Sequence, residues 1–109
     1  MARIAFAPPS ADGVAERGWE ALERNRMAEA ETSFREALKL EPAQARASLG
    51  LARVLGLRSI NPSTRKVTSP GLFQEALDLT AKAAEQEPSL AGQAANQTAT
   101  LYMWIGAYT

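Results

Sequence analysis

A chain of 109 residues with 46% hydrophobic and 22% charged residues has room for one small domain with one modest core. Its 12 basic and 12 acidic side chains cancel, which argues against general nucleic-acid binding, because that needs a basic excess to neutralise phosphates. Cysteine and histidine are both missing, which excludes disulfides, thiol chemistry, most transition-metal sites, the usual general base and the common nucleophilic triads.

No apolar stretch reaches the roughly 20 residues of a membrane span, and the N-terminal MARIAFAPPS holds too short an apolar run for a secretory signal. The expectation is a cytoplasmic, non-catalytic domain without cofactor or metal. Residues 1–10 read as a tail, ending at Pro8 and Pro9, which cannot continue a helix, with Ile4 and Phe6 placed to tuck against the body. Residues 11–109 read as one all-α domain of about five helices.

Ser10 suits an N-cap, its hydroxyl accepting an orphan backbone N–H. The first helix then runs from about Ala11 to Arg24, with Val14, Ala15, Trp19, Ala21 and Leu22 as its apolar residues. Gly18 weakens it intrinsically by roughly 1 kcal/mol relative to Ala, so its presence points to close helix contact. Asn25 suits a left-handed turn residue. The second helix begins at Met27 and carries Ala30, Phe34, Ala37 and Leu38 on one face, at i, i+4, i+7 and i+8. Its other face holds the favourable i,i+4 pair Glu31 and Arg35, and Pro42 stops it.

Pro42 can also serve as the first residue of a third helix, which runs to about Leu57 with a stripe of Ala45, Leu49, Ala52 and Leu55, and Leu51 at its edge. Gly56 fits a fraying end. Residues 58–69, RSINPSTRKVTS, break the pattern with the turn signal Asn61-Pro62-Ser63. The segment reads as a polar surface loop, with Arg65 and Lys66 as a candidate basic contact. Ser69 and Pro70 then act as N-cap and first residue of a fourth helix, Pro70–Gln86, which Pro88 ends. A fifth helix extends from Leu90 to about Gly106.

The second helix, with Ala30, Phe34, Ala37 and Pro42 preceded by Gly18, resembles the A-x3-F…A…P signature of the tetratricopeptide repeat. The fourth helix repeats the pattern 46 residues further on: Ala30 matches Ala76, Ala37 matches Ala83 and Pro42 matches Pro88. The family period is about 34 residues, and the excess of about twelve matches the segment 58–69. The second copy is weaker, with Thr80 in place of the aromatic and Ala52 in place of the glycine. The resemblance implies a right-handed α-solenoid fragment. Repeat one spans 11–44, repeat two spans 45–90 with the insertion 58–69, and a C-terminal helix spans 90–106.

The resemblance further implies a concave groove, lined by the first helix of each repeat, that holds a peptide or a partner helix. Repeat one supplies Asp12, Ala15, Trp19, Leu22 and Glu23 to it, and repeat two supplies Arg46, Leu49, Arg53 and Leu57. The last helix adds Ala95, Ala99 and Tyr102. Trp19 with nearby arginines suits a partner anchor or plain core packing. The family's carboxylate-gripping Lys and Asn are replaced by Ala15 and Trp19, so a clamp of that kind is not expected. The implied function is protein–protein interaction.

The alternative is a structural role for the last helix, with three readings: it pairs with itself in a homodimer, packs on a following domain, or folds back onto the fourth helix. The end of the last helix, carrying Leu101, Tyr102, Trp104, Ile105 and Tyr108, is apolar on every side, and contiguous exposed apolar surface usually marks an interface.

Overall fold

A computed structural model describes residues 10–105. The fold is all-α: α1 (Ala11–Glu23), α2 (Met27–Leu40), α3 (Ala45–Arg58), α4 (Pro70–Gln86) and α5 (Ala91–Trp104), with a 3-10 turn at Pro88–Leu90. Each helix packs on the next, and α3 also touches α1 and α5. The chain is thus layered, with α1, α3 and α5 in one row and α2 and α4 behind. This arrangement is compatible with helical-repeat packing. No helix among the described residues is long and apolar enough to cross a membrane. Ile4, Phe6, Gly106 and Tyr108 lie outside the described residues.

The helix ends follow local chemistry. Ser10 Oγ accepts from the Gly13 N–H at 3.1 Å and so caps α1. Asn25 turns the chain into α2 with a φ of 58°. Pro42 does not open α3. Gln44 holds that role, its side-chain carbonyl accepting from the Arg46 N–H at 2.9 Å and the Ala47 N–H at 3.4 Å. A helix N-terminus leaves several N–H groups orphaned, and a long amide at the cap satisfies two of them here. Ser69 and Pro70 stand where expected at the head of α4, although Ser69 makes no side-chain cap bond.

Helix α3 is buried almost all round, with ten of its 14 residues inaccessible, because it is the one helix in contact with all four others. The narrow stripe expected for it is therefore an underestimate: Ala47, Gly50 and Val54 are inside as well. Gly56 is no frayed end. It lies under Leu101 of α5, whose Cδ2 would be 2.6 Å from a Cβ placed there.

Arg58 still belongs to α3, and residues 59–69 form a turn tied down by backbone bonds. Ile60 and Val67 pair as an antiparallel bridge, and Asn61 N–H donates to the Lys66 carbonyl at 2.9 Å. Asn61 Oδ1 accepts from Ser63 and Thr64 N–H groups at 2.8 and 3.2 Å, the side-chain turn that asparagine favours. Ile60 is buried in the core formed with α1–α4, so the insertion is anchored at its root while Arg65 and Lys66 stay exposed.

Candidate functional site

A cleft of about 370 Å³ runs along the row α1–α3–α5, within the range of about 300–1,000 Å³ usual for binding clefts. Trp19 of α1 borders it, and α3 contributes Leu49, Arg53 and Leu57, one residue per turn. Its far wall is a single face of α5: Gln93, Asn96, Gln97 and Thr100, then Leu101 and Trp104.

Trp19 belongs both to the core and to the cleft. Its ring meets Phe34 edge-on, with centroids 5.6 Å apart and planes at 73°, the T-shaped geometry that aromatic quadrupoles prefer. Its indole N–H donates to the Arg46 carbonyl at 3.2 Å, which fixes the ring at the N-terminal end of α3. The two readings of this residue, packing and anchor, are therefore not exclusive.

Four of the expected groove residues come together: Trp19, Leu49, Arg53 and Leu57. The others, Asp12, Ala15, Leu22, Glu23 and Arg46 on α1 and α3 and Ala95, Ala99 and Tyr102 on α5, do not line the cleft. Asp12 accepts from the Gln44 side-chain amide and so supports the cap of α3. Leu22 packs into the core, and Glu23 is exposed at the last turn of α1. Arg46 lies with its guanidinium 5.4 Å from the Trp19 ring centre and pairs with Glu16 at 2.9 Å. It braces the tryptophan from outside the cleft, as a cation over an aromatic face does. Ala15 is buried in the core.

On α5 the expected face was misplaced by about a third of a turn. Ala95 is exposed and lines nothing, and Tyr102 meets Phe73 of α4 edge-on at 5.9 Å. The cleft face instead falls at Gln93, Asn96, Gln97, Thr100, Leu101 and Trp104, an i, i+3, i+4, i+7, i+8, i+11 series. This helical period is visible in the sequence but is carried largely by polar residues, so a search for apolar stripes passes over it. Gln97 fixes the register: its side-chain N–H₂ donates to the Leu49 carbonyl at 3.0 Å and to Thr80 Oγ1 at 3.1 Å.

The expected self-association surface is reduced for the same reason. Leu101 is buried against α3, and Ile105 packs on the same core. Met103 and Trp104 remain, 59% and 43% exposed. Comparison of the chain with protein-family models, with curated proteins and with solved structures finds no match in any of the three.

Proposed function

We propose that this domain is a non-catalytic interaction module of the tetratricopeptide type, which holds a short extended peptide segment in the cleft between α1, α3 and α5. The observation that carries this reading is the lining of the cleft. It combines apolar side chains (Trp19, Leu49, Leu57) with amides (Gln93, Asn96) and one cation (Arg53). Apolar walls supply affinity, while amides offer both donors and acceptors to the polar backbone of an extended chain. Two helical pairs make a short groove, so affinity for a lone peptide is expected to be modest.

The test is selection of random twelve-residue peptides on the full chain, beside a Thr100→Arg variant. Thr100 is exposed on the cleft wall, so an arginine there obstructs the cleft without entering the core. Enriched peptides that lose binding at least tenfold to the variant support the reading. Peptides that bind both proteins equally, or no enrichment at all, overturn it.

A second reading is self-association, favoured by the exposed Met103 and Trp104 at the end of α5. Light scattering on the full chain and on a Met103→Glu/Trp104→Glu double variant separates the two. A dimer that becomes a monomer on substitution assigns this end of α5 to assembly.

A further inference from the structure

The peptide-groove reading can be carried to a sequence preference, because the positions of the cleft's charged and aromatic groups along α3 are fixed. Trp19 is bonded to the Arg46 carbonyl, at the N-terminal end of α3. Gln97 bonds to the Leu49 carbonyl, and Leu101 lies on Gly56. Helices α3 and α5 therefore run in the same direction, and Trp104, nearly one turn beyond Leu101, stands at the opposite end of the cleft from Trp19. Arg53 projects between them. Along α3 the cleft runs from Leu49 to Leu57 with Arg53 midway, a rise of about 12 Å, close to the ~13 Å between the first and fifth residues of an extended chain.

The charge of the cleft is equally defined. Arg53 is the one ionisable residue in its lining. Helix α3 carries three arginines, Arg46, Arg53 and Arg58. Arg46 is paired with Glu16 and Arg58 with Glu31. Among the described residues, Arg53 alone of the three makes no ion pair, and it is exposed. A cleft with a single positive charge and no negative one complements an acidic ligand group.

We propose that the cleft selects an extended segment with an acidic side chain two residues from an apolar one on either side, that is, apolar–any–Asp/Glu–any–apolar. Alternate side chains of an extended chain point to the same face. The acidic side chain meets Arg53, and the apolar ones meet the Trp19 and Trp104 ends. The amides of Gln93 and Asn96 make no side-chain hydrogen bond among the described residues, and they pair with the backbone between those points. The inference rests on the peptide-groove reading and adds to it the charge and spacing of the ligand.

The experiment uses the full chain and a blocked pentapeptide, acetylated and amidated, of leucine, serine, glutamate, serine and phenylalanine. Twins carry glutamine or lysine at the centre, and a further glutamine twin has a free C-terminal carboxylate. Titrations follow the indole N–H signals of Trp19 and Trp104 by NMR. The glutamate peptide is expected to bind about three- to tenfold tighter than its glutamine twin, as a charge-assisted contact at a partly exposed site allows. Arg53→Gln removes that difference, and Arg53→Glu shifts the preference to the lysine twin. Equal affinity for the blocked glutamate and glutamine peptides overturns the acidic preference and leaves the peptide groove standing. Tighter binding of the free-carboxylate twin than of the glutamate peptide also overturns it, assigning Arg53 to a chain end. No movement of either indole signal with any peptide overturns both readings.

Discussion

Phe34 and Thr80 occupy the same position in the two helical pairs, one turn after Ala30 and Ala76 respectively. Both are buried, yet they fill the seam in different ways. The Phe34 ring lies across two glycines, where an added Cβ would come within 2.5 Å at Gly18 and 2.2 Å at Gly50. Thr80 donates its hydroxyl to the Ala76 carbonyl at 2.7 Å and accepts from Gln97 at 3.1 Å. The first seam is closed by shape and the second by a polar bridge to the last helix. An aromatic at this position requires neighbours without side chains on both facing helices. Where the neighbours are larger, a small residue with a hydroxyl meets a long amide instead, and the buried polar atoms are satisfied in pairs.

The largest expected effects come from the first seam. Phe34→Ala should lower stability by about 3–5 kcal/mol, a large part of the 5–15 kcal/mol or so that a domain of this size has in total. Urea unfolding followed by circular dichroism measures it. Gly50→Ala should cost about 1–3 kcal/mol, although alanine is the better helix former by about 1 kcal/mol. The ring it meets is fully buried and has nowhere to move. In a Phe34→Leu background the same change should cost much less, since contacting residues couple. A stabilising Gly50→Ala in the parent chain would show that the ring is not pinned and would break the contrast between the two seams.

The second seam should respond less and differently. Thr80→Val and Gln97→Met each break the amide–hydroxyl bond and are expected to cost about 0.5–1.5 kcal/mol. The double change should cost less than the sum of the two, because replacing both partners by apolar groups of similar shape leaves nothing unpaired in the bridge. Full additivity in urea unfolding would mean that Thr80 and Gln97 pack beside each other without a bond that matters.

Much of this architecture was legible in the sequence, and the parts that were not share a cause. Five helices, the Ser10 cap, the Asn25 turn and the close contact at Gly18 followed from spacing and local chemistry. Gly50 was missed because it lies inside a helix whose apolar stripe drew attention to Ala52. Its role is set by a ring on another helix, which no local pattern reports. Gln44 was missed as the cap of α3 because Pro42 offered a simpler start. The α5 wall of the cleft was misplaced because its period is carried by Gln93, Asn96, Gln97 and Thr100, which look like ordinary solvent-facing residues until α3 lies beside them. Residues 58–69 read as polar and loose, yet Ile60 and the Asn61 turn were sufficient to tie them down.

The smallest expected effect concerns the outer edge of the first seam. Glu31 of α2 is flanked by Arg35, whose Nε is 3.2 Å from its carboxylate, and by Arg58 at the end of α3. Burial by itself would raise its pKa, but the hydrogen bonds and charges of Arg35 and Arg58 outweigh that and hold the carboxyl below its ordinary value of 4.5. A carboxyl depressed in the folded state contributes stability above its unfolded pKa and loses it as pH falls through the folded one. The parent chain should therefore lose stability between about pH 5 and pH 3 more steeply than Glu31→Gln, and the difference between the two should shrink across that interval. Both arginines are about half exposed, so solvent screens the cluster and the gap at neutral pH should be at most about 1 kcal/mol. The corresponding place in the second pair holds Leu77, which packs against the core without charge. A Leu77→Gln variant should then lose stability by an amount that does not change over the same pH range. If its loss tracked the Glu31→Gln curve instead, the pH dependence would belong to the whole chain and not to the first seam.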